Sequence, residues 1–369
     1  MRPDDLAAHV LRSLCERTPG LDPGDVDDVL FGDANGAGED NRDVARMAVL
    51  LAGWPTSVPG ATVNRLCGSG LEAAIQARRA VLAGDASLVV AAGVESMSRA
   101  PWVLLKPAKG YAREPETLHS TTLGWRMVNP AMPAGWTISL GESAEKLADL
   151  GKITREEQDE FARRSHRLAD QAWRAGEYDA ESVPVPGTGL TRDESIRADT
   201  TAQRLAALKP VFRVDGTVTA GNSSPLNDGA AGLLIGDARA AQRVGREPLA
   251  RIASAAVCGV DPQVFGIGPV EAAQVALRRA GIGWSDLVQV ELNEAFASQS
   301  LACLAGWPEL DPGLVNPHGG AIAIGHPLGA SGARILGHLA HSLHRRGGGW
   351  GLAAICIGVG QGLAVVLEG

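Results

Sequence analysis

Val63-Asn64-Arg65-Leu66-Cys67-Gly68-Ser69-Gly70 places one thiol where a glycine-rich turn gives way to a helix. After it Leu71, Ala74, Ile75, Val81 and Leu82 recur at helical spacing, so Gly68 and Gly70 read as turn residues and Cys67 stands at a helix N-terminus. Free backbone N–H groups and the positive end of the helix dipole favour a thiolate there, which would make Cys67 a nucleophile. A lone cysteine at a tight turn more often simply packs, because free cysteines are among the most buried side chains. The nucleophile reading therefore depends on partners elsewhere in the chain.

Outward from this turn the chain alternates strand and helix. Leu6 to Glu16 has the spacing of an amphipathic helix, Val26 to Phe31 of a short strand ending at Gly32, and Asn41 to Leu51 of a second helix. Thr62-Val63 leads into the Cys67 turn, and Leu88 to Gly93 reads as a buried strand. The alternation predicts an α/β fold. From about Ser96 to Ser224 prolines punctuate the chain, and the charge-rich region Glu142 to Ala175 is helical, with a capping-box pattern at Thr154 and Glu157. This reads as an inserted, largely surface domain. Asn227 to Ile235 then resumes the buried-strand pattern and Ala238 to Val244 a helix.

The last third echoes the first. Val290-Glu291-Leu292 parallels Val29-Leu30-Phe31, and the loop Gly319 to Gly332 with a helix Ala333 to Leu343 parallels the Cys67 turn and its helix. Ala353 to Ile357, followed by Gln361 to Leu367, stands where Leu88 to Gly93 stood. Two stacked halves would bring both glycine-rich loops to a common seam. The expected division is 1–95 with 225–247 for the first half, 96–224 for the inserted loop domain, and 248–369 for the second half.

Composition narrows the function. The 369 residues, 45% hydrophobic and 21% charged, suit a soluble globular protein able to bury large cores. With 34 basic against 42 acidic residues spread along the chain, there is no basic footprint for nucleic acid. No apolar run suggests a membrane span and the start lacks a signal-peptide layout, so the expected location is cytoplasmic. Five scattered cysteines argue against a disulfide framework, and without a C-x-x-C or H-x-x-x-H cluster no metal site is expected.

Three further patches carry reactive side chains: Asn293-Glu294-Ala295-Phe296, Gly325-His326-Pro327-Leu328-Gly329, and Cys356-Ile357-Gly358-Val359-Gly360-Gln361-Gly362. His326 could serve as a base for Cys67, and Cys356 as a second thiol exchanging protons with a carbanion. Each alone reads as an ordinary turn or core residue. Their joint occurrence at equivalent ends of two half-repeats changes that balance.

Asn64 to Gly70, Asn293 to Phe296, Gly319 to Gly332 and Cys356 to Gly362 resemble the signature blocks of the thiolases, in that family's order and over nearly the whole chain, and Thr219-Ala220-Gly221-Asn222-Ser223-Ser224 resembles its coenzyme A contact segment. The resemblance implies duplicated α/β/α/β/α layers with an inserted loop domain. It also implies a two-step reaction in which Cys67, deprotonated by His326, attacks the 3-keto carbon of a 3-oxoacyl-CoA. Cys356 protonates the departing enolate and then activates CoA. By the same resemblance Asn293 holds a water that, with His326, binds the thioester oxygen, the N–H groups of Cys67 and Gly358 form a second oxyanion hole, and Ser224 touches the pantetheine arm. Coenzyme A is then a co-substrate, with no permanently bound cofactor, and a homo-oligomer, dimer or tetramer, is expected. A ketoacyl synthase or hydroxymethylglutaryl-CoA synthase relative is disfavoured by the Cys356 block. A non-catalytic acyl-CoA-binding subunit is the other alternative.

Two departures from the family pattern stand out. Ser139-Leu140-Gly141 replaces a His-Met-Gly loop and, with Thr121 to Pro130, resembles the 3-oxoadipyl-CoA thiolases; Arg126 is the candidate cation for a dicarboxylic chain. The family's opening strand and Arg-Thr-Pro loop have no counterpart before Leu6. That strand is expected inside the first sheet, beside the strand leading to Cys67, so that its loss would imply an upstream start or a poorly stable chain.

Overall fold

The computed structural model describes residues 1–111, 113 and 115–369. Eight strands and seven helices position the site. The strands are β1 Asp28–Gly32, β2 Ala61–Val63, β3 Leu88–Ser96, β4 Asp228–Gly236, β5 Arg251–Gly259, β6 Leu287–Leu292, β7 Trp350–Ile357 and β8 Gln361–Glu368. The helices are α1 Pro3–Arg17, α2 Val44–Leu51, α3 Ser69–Ala83, α4 Leu140–Gly151, α5 Arg155–Ala175, α6 Gly268–Ala280 and α7 Leu328–Arg346.

The strands form two mixed sheets, ordered β2-β1-β3-β4 and β5-β8-β7-β6. In the first, β1 runs parallel to β2 and β3, and β4 is antiparallel to β3. In the second, β6 is parallel to β7, and β8 is antiparallel to both β7 and β5. Helices α1 and α2 cover the outer face of the first sheet, α6 covers the outer face of the second, and α3 and α7 lie between them. Three apolar cores fill the gaps. One joins α1 and α2 to Val29, Phe31, Val90 and Ala92, and a central one joins α3 and α7 to both sheets. The third packs α6 against Leu352, Ala354, Ala364 and Val366. The unbroken burial along β3 and β8 decides this: each strand is buried on both faces, as a sheet sandwiched between helices requires.

Backbone contact between α3, α7 and the first sheet explains the glycines at 32, 70, 93, 329 and 332. A Cβ on Gly93 of β3 would stand 2.0 Å from the Gly329 carbonyl oxygen, and one on Gly332 would stand 2.2 Å from Leu71 N. Gly329 and Gly332 therefore belong to α7, which begins at Leu328 and not at Ala333 as the spacing predicts. Glycine serves here for close helix packing where the pattern suggests a turn. The region Glu142 to Ala175 is likewise two helices. Lys152 caps α4 in the left-handed conformation, and the Thr154–Glu157 capping box opens α5. The second helix begins at Val44 because the Asp43 side chain caps it, accepting from Arg46 N.

The strand expected inside the first sheet has no vacancy there. β1 pairs directly with β2 and with β3, so the ladder is continuous. The two halves differ at the outer edge instead. In the second sheet β8 lies between β5 and β7, whereas its counterpart β4 pairs with β3 alone. A groove of about 1980 Å³ follows the free side of β4, walled by Leu6, Val10 and Leu14 of α1 and by Ile335 and Leu336 of α7. No helix among the described residues is long and apolar enough to cross a membrane.

Candidate active site

Cys67 directly precedes Gly68, the N-cap of α3, and is buried with 6% exposure. The turn that presents it is held from several sides. Leu66 adopts φ +48, a left-handed conformation that branched side chains rarely take, and its N–H donates to Asn64 Oδ1 at 2.9 Å. Ser69 Oγ accepts from Arg65 N and donates to the Leu66 carbonyl. Arg65 bonds Glu72 of α3 and, at 2.7 Å, Gln361 Oε1 of β8, which ties the Cys67 turn to the second half.

The second half supplies the facing groups from three loops. Asn293 follows β6, its N–H bonded to the Ala354 carbonyl of β7. Cys356 lies near the end of β7, and Gly358 sits in the turn to β8 beside Val359, another left-handed residue at φ +61. His326 lies in the loop before α7, its N–H donating to Asn227 Oδ1 at 3.0 Å. Asn293 Nδ2 stands 3.4 Å from His326 Nε2 and 3.5 Å from Nδ1, while Asn293 Oδ1 is buried with no partner among the described residues. The starts of the two helices pack on each other: Gly70 of α3 lies against the Gly329 carbonyl and Ala333 of α7. Ser224 is half-buried and bonds the Ala295 carbonyl through both N–H and Oγ, which places it against the Asn293 block.

The electrostatics differ from the helix-terminus expectation. Burial pushes the Cys67 thiol up to about 11, the negative Glu95 adds to this, and the Gly358 and Cys67 N–H groups only partly oppose it. Cys356 is driven well above its ordinary value by burial and then by the nearby Cys67 and Cys303. His326 is pulled down to about 3 by burial and then by Arg334. At neutral pH the site therefore holds two thiols and a neutral imidazole. Burial outweighs the dipole because the thiolate would lose water on nearly every side.

Trp125 and Leu140 wall the site. Their side chains lie 3.0 and 3.5 Å from where a Cβ on Gly358 would stand, and Trp125 Nε1 donates to the Ile138 carbonyl. The next residue, Arg126, is half-buried, bonds Asn35 Oδ1 at 3.0 Å, and has no carboxylate partner among the described residues. Among the described residues no group of three or more His, Cys, Asp or Glu could hold a metal ion.

Residues 1–239 match the thiolase N-terminal domain model and residues 246–369 the thiolase C-terminal domain model. The chain belongs to the thiolase family. It is an acyltransferase of that family, whose reaction is the CoA-dependent cleavage of a 3-oxoacyl-CoA or its reverse. It is 51% identical to the 3-oxoadipyl-CoA/3-oxo-5,6-dehydrosuberyl-CoA thiolase of Escherichia coli strain K12, over 100% of this chain and 94% of that protein. It is 50% identical to the beta-ketoadipyl-CoA thiolase of Pseudomonas putida over the same shares. Human mitochondrial 3-ketoacyl-CoA thiolase in complex with CoA superposes with a TM-score of 0.93 at 37% identity, covering all of this chain and 92% of that one. The thiolase fold, with its α/β/α/β/α layers, is thus the fold of this chain.

The fold adds to this site four groups to which the sequence reading assigns no role, two of them, Glu294 and Ser331, inside the quoted stretches. Ser331 contacts the His326 ring, and Asn227 holds its backbone. Glu95 accepts from both Ala34 N and Gly329 N, and Glu294 is buried under Ser165, Asn316 and Ile322 N. Asn227 and Glu95 are remote in sequence from their partners, so spacing carries no signal for them. Ser331, five residues after His326, had one.

Proposed function

We propose that the chain cleaves 3-oxoadipyl-CoA with CoA, through an acyl group carried on Cys67. The observation that carries the reaction is the meeting of two buried thiols, Cys67 and Cys356, with a neutral imidazole, His326, and donors at Asn293 and Gly358. Cys67 gives its proton to His326 as its sulfur bonds to the 3-keto carbon. The C2–C3 bond then breaks, the acetyl-CoA enolate takes a proton from Cys356, and a succinyl group remains on Cys67. Cys356 next removes the thiol proton of an incoming CoA, whose sulfur takes the acyl group and frees Cys67. The Gly358 and Cys67 N–H groups would bind the oxyanion at C3, and losing one such donor typically costs about 3 to 4 kcal/mol of barrier. Asn293, with its open Oδ1, would hold a water that joins His326 at the thioester oxygen. Ser224 would line the pantetheine arm.

The likeness to beta-ketoadipyl-CoA thiolases supports the dicarboxylic substrate, as does Arg126 beside the Trp125 wall, with no carboxylate partner among the described residues. A charge-assisted hydrogen bond contributes roughly 1.5 to 3 kcal/mol, or about 10- to 100-fold in kcat/KM. The test compares 3-oxoadipyl-CoA with acetoacetyl-CoA in the chain and in Arg126→Met. A preference of at least about tenfold for the dicarboxylic substrate, erased by the substitution, is expected; equal efficiency would reject the substrate reading.

The same proposal keeps the division into 1–95 with 225–247, 96–224 and 248–369, supported by the two separate sheets. A homo-oligomer is supported by apolar side chains left on the surface of the inserted segment, among them Trp102, Leu104, Leu105 and Trp136. A cytoplasmic location is retained with it.

A further inference from the structure

We propose that Ser331 is a positioning residue that fixes the tautomer of His326, holding the proton on Nδ1 and leaving Nε2 free to act as the base. This rests on the proposed role of His326 toward Cys67. Ser331 lies in the first turn of α7, is fully buried, and stands with its Oγ 2.7 Å from His326 Nδ1. The same Oγ donates to the Pro327 carbonyl, four residues back, at 2.9 Å. A hydroxyl has one proton. Spent on a carbonyl, which can only accept, it leaves lone pairs toward the ring, so the hydrogen of that 2.7 Å contact belongs to Nδ1.

The other polar side chain at the ring does not set the tautomer. Asn293 Nδ2 is nearly equidistant from the two ring nitrogens, at 3.4 and 3.5 Å, and so is not a directed donor to either. The tautomer of an imidazole follows the hydrogen bond made by its other nitrogen. A ring protonated on Nε2 would offer Cys67 a proton where the reaction needs a vacancy, and with burial holding His326 neutral no second proton masks the difference. Ser331 therefore acts through His326 and never touches substrate.

Ring nitrogen shifts in 15N-histidine-labelled protein, with the His326 signals assigned by their loss in His326→Asn, report the tautomer without any substitution at Ser331. Protonation on Nδ1 is expected. In rapid mixing with acetyl-CoA, Ser331→Ala should acylate Cys67 about 10- to 100-fold more slowly, the usual range for losing an outer partner of a functional histidine. Its KM should move less than about twofold and Ser331→Thr should restore most of the rate, a pattern that a merely structural role does not give. A His326 ring protonated on Nε2 overturns the proposal. So does wild-type acylation in Ser331→Ala, or a threonine variant as slow as alanine while unfolding at the wild-type temperature. Full acylation in His326→Asn would instead overturn the role of His326 itself.

Discussion

Replacing Gly93 by alanine tests whether the helix bearing the His326 loop is held at a fixed height above the first sheet. A methyl group there would lie 2.0 Å from the Gly329 carbonyl oxygen, 2.8 Å from its carbon and 2.9 Å from Ala330 Cα, where ordinary contact begins at 3.4 Å. All three obstacles are backbone, so no rotamer change relieves them. Gly93 cannot retreat either, because it is paired with Gly32 on one side and Ala231 on the other. The start of α7 must therefore rise by roughly 1 Å or more, and His326, two residues ahead of it, rises too. Overpacking of this kind costs about 1 to 3 kcal/mol, a large fraction of the 5 to 15 kcal/mol typical of a native protein. A displacement of about 1 Å at a catalytic group costs on the order of 100-fold in rate. Gly93→Ala should therefore show both lowered thermal stability and about 100-fold lower kcat for thiolysis. Gly110→Ala, where a Cβ meets nothing within 4 Å among the described residues, should show neither. A Gly93→Ala protein with wild-type unfolding temperature and kcat would refute the reasoning, since the helix would then be free to move without consequence.

Two more outcomes follow from the site. Cys67→Ala should take no acetyl group from acetyl-CoA, whereas Cys356→Ala should still be acetylated on Cys67 yet lose turnover; mass spectrometry reads the first and steady-state thiolysis the second. Normal turnover in Cys356→Ala would break the division of roles. The pH dependence of stability concerns Asp33 and Glu95, both buried, with burial the chief cause of pKa values raised to about 7 and about 8. Between their unfolded values and these, the folded chain holds protons that the unfolded chain has released, so stability falls as pH rises through that window, by up to about 1.4 kcal/mol per pH unit for each group. His326, pulled down to about 3, acts oppositely and removes stability as pH falls below its unfolded value of 6.5. The unfolding temperature should thus decline from about pH 6.5 to 8, and Asp33→Asn should flatten that decline. An unchanged slope in the variant would show that these carboxyls are not what titrates.

The elements legible in the sequence were those whose burial pattern is local. Strand β3, buried along its whole length, and helix α3 after the Cys67 turn follow from apolar spacing alone. The start of α7 did not, because Gly329 and Gly332 carry the composition of a loop; what makes them helical is the opposing backbone of Val94, Gly32 and Leu71, which no local window contains. The expectation of a further strand inside the first sheet failed for a related reason. Which strands are neighbours is a property of the sheet, and only the pairing of β8 with β5 reveals that the position open beside β4 lies at an edge. Of the candidate site, Cys67, Asn293, His326 and Cys356 stand in distinctive stretches of sequence, whereas Asn227 and Glu95 reach it from other parts of the chain and carry no such local signal.

The thiolate expected at the helix N-terminus is opposed by burial, and this bears on how the proposed chemistry would run. A helix N-terminus lowers a thiol pKa only when the thiolate keeps enough solvent or enough donors to replace it. Here Cys67 sits against Ile357, Leu363 and Leu71, and the N–H groups near it do not offset that burial. An ion pair waiting between Cys67 and His326 would leave charge on both partners in an apolar seam, so proton transfer has to accompany bond formation to the carbonyl carbon. In the proposed reaction negative charge would then pass from sulfur to the substrate oxygen without dwelling on the thiol, beside the Gly358 N–H that bonds the Cys67 sulfur. That N–H does not offset burial for a thiolate in the resting site, but at an oxygen that gains charge only during the proposed reaction it would lower the barrier without stabilising the ground state.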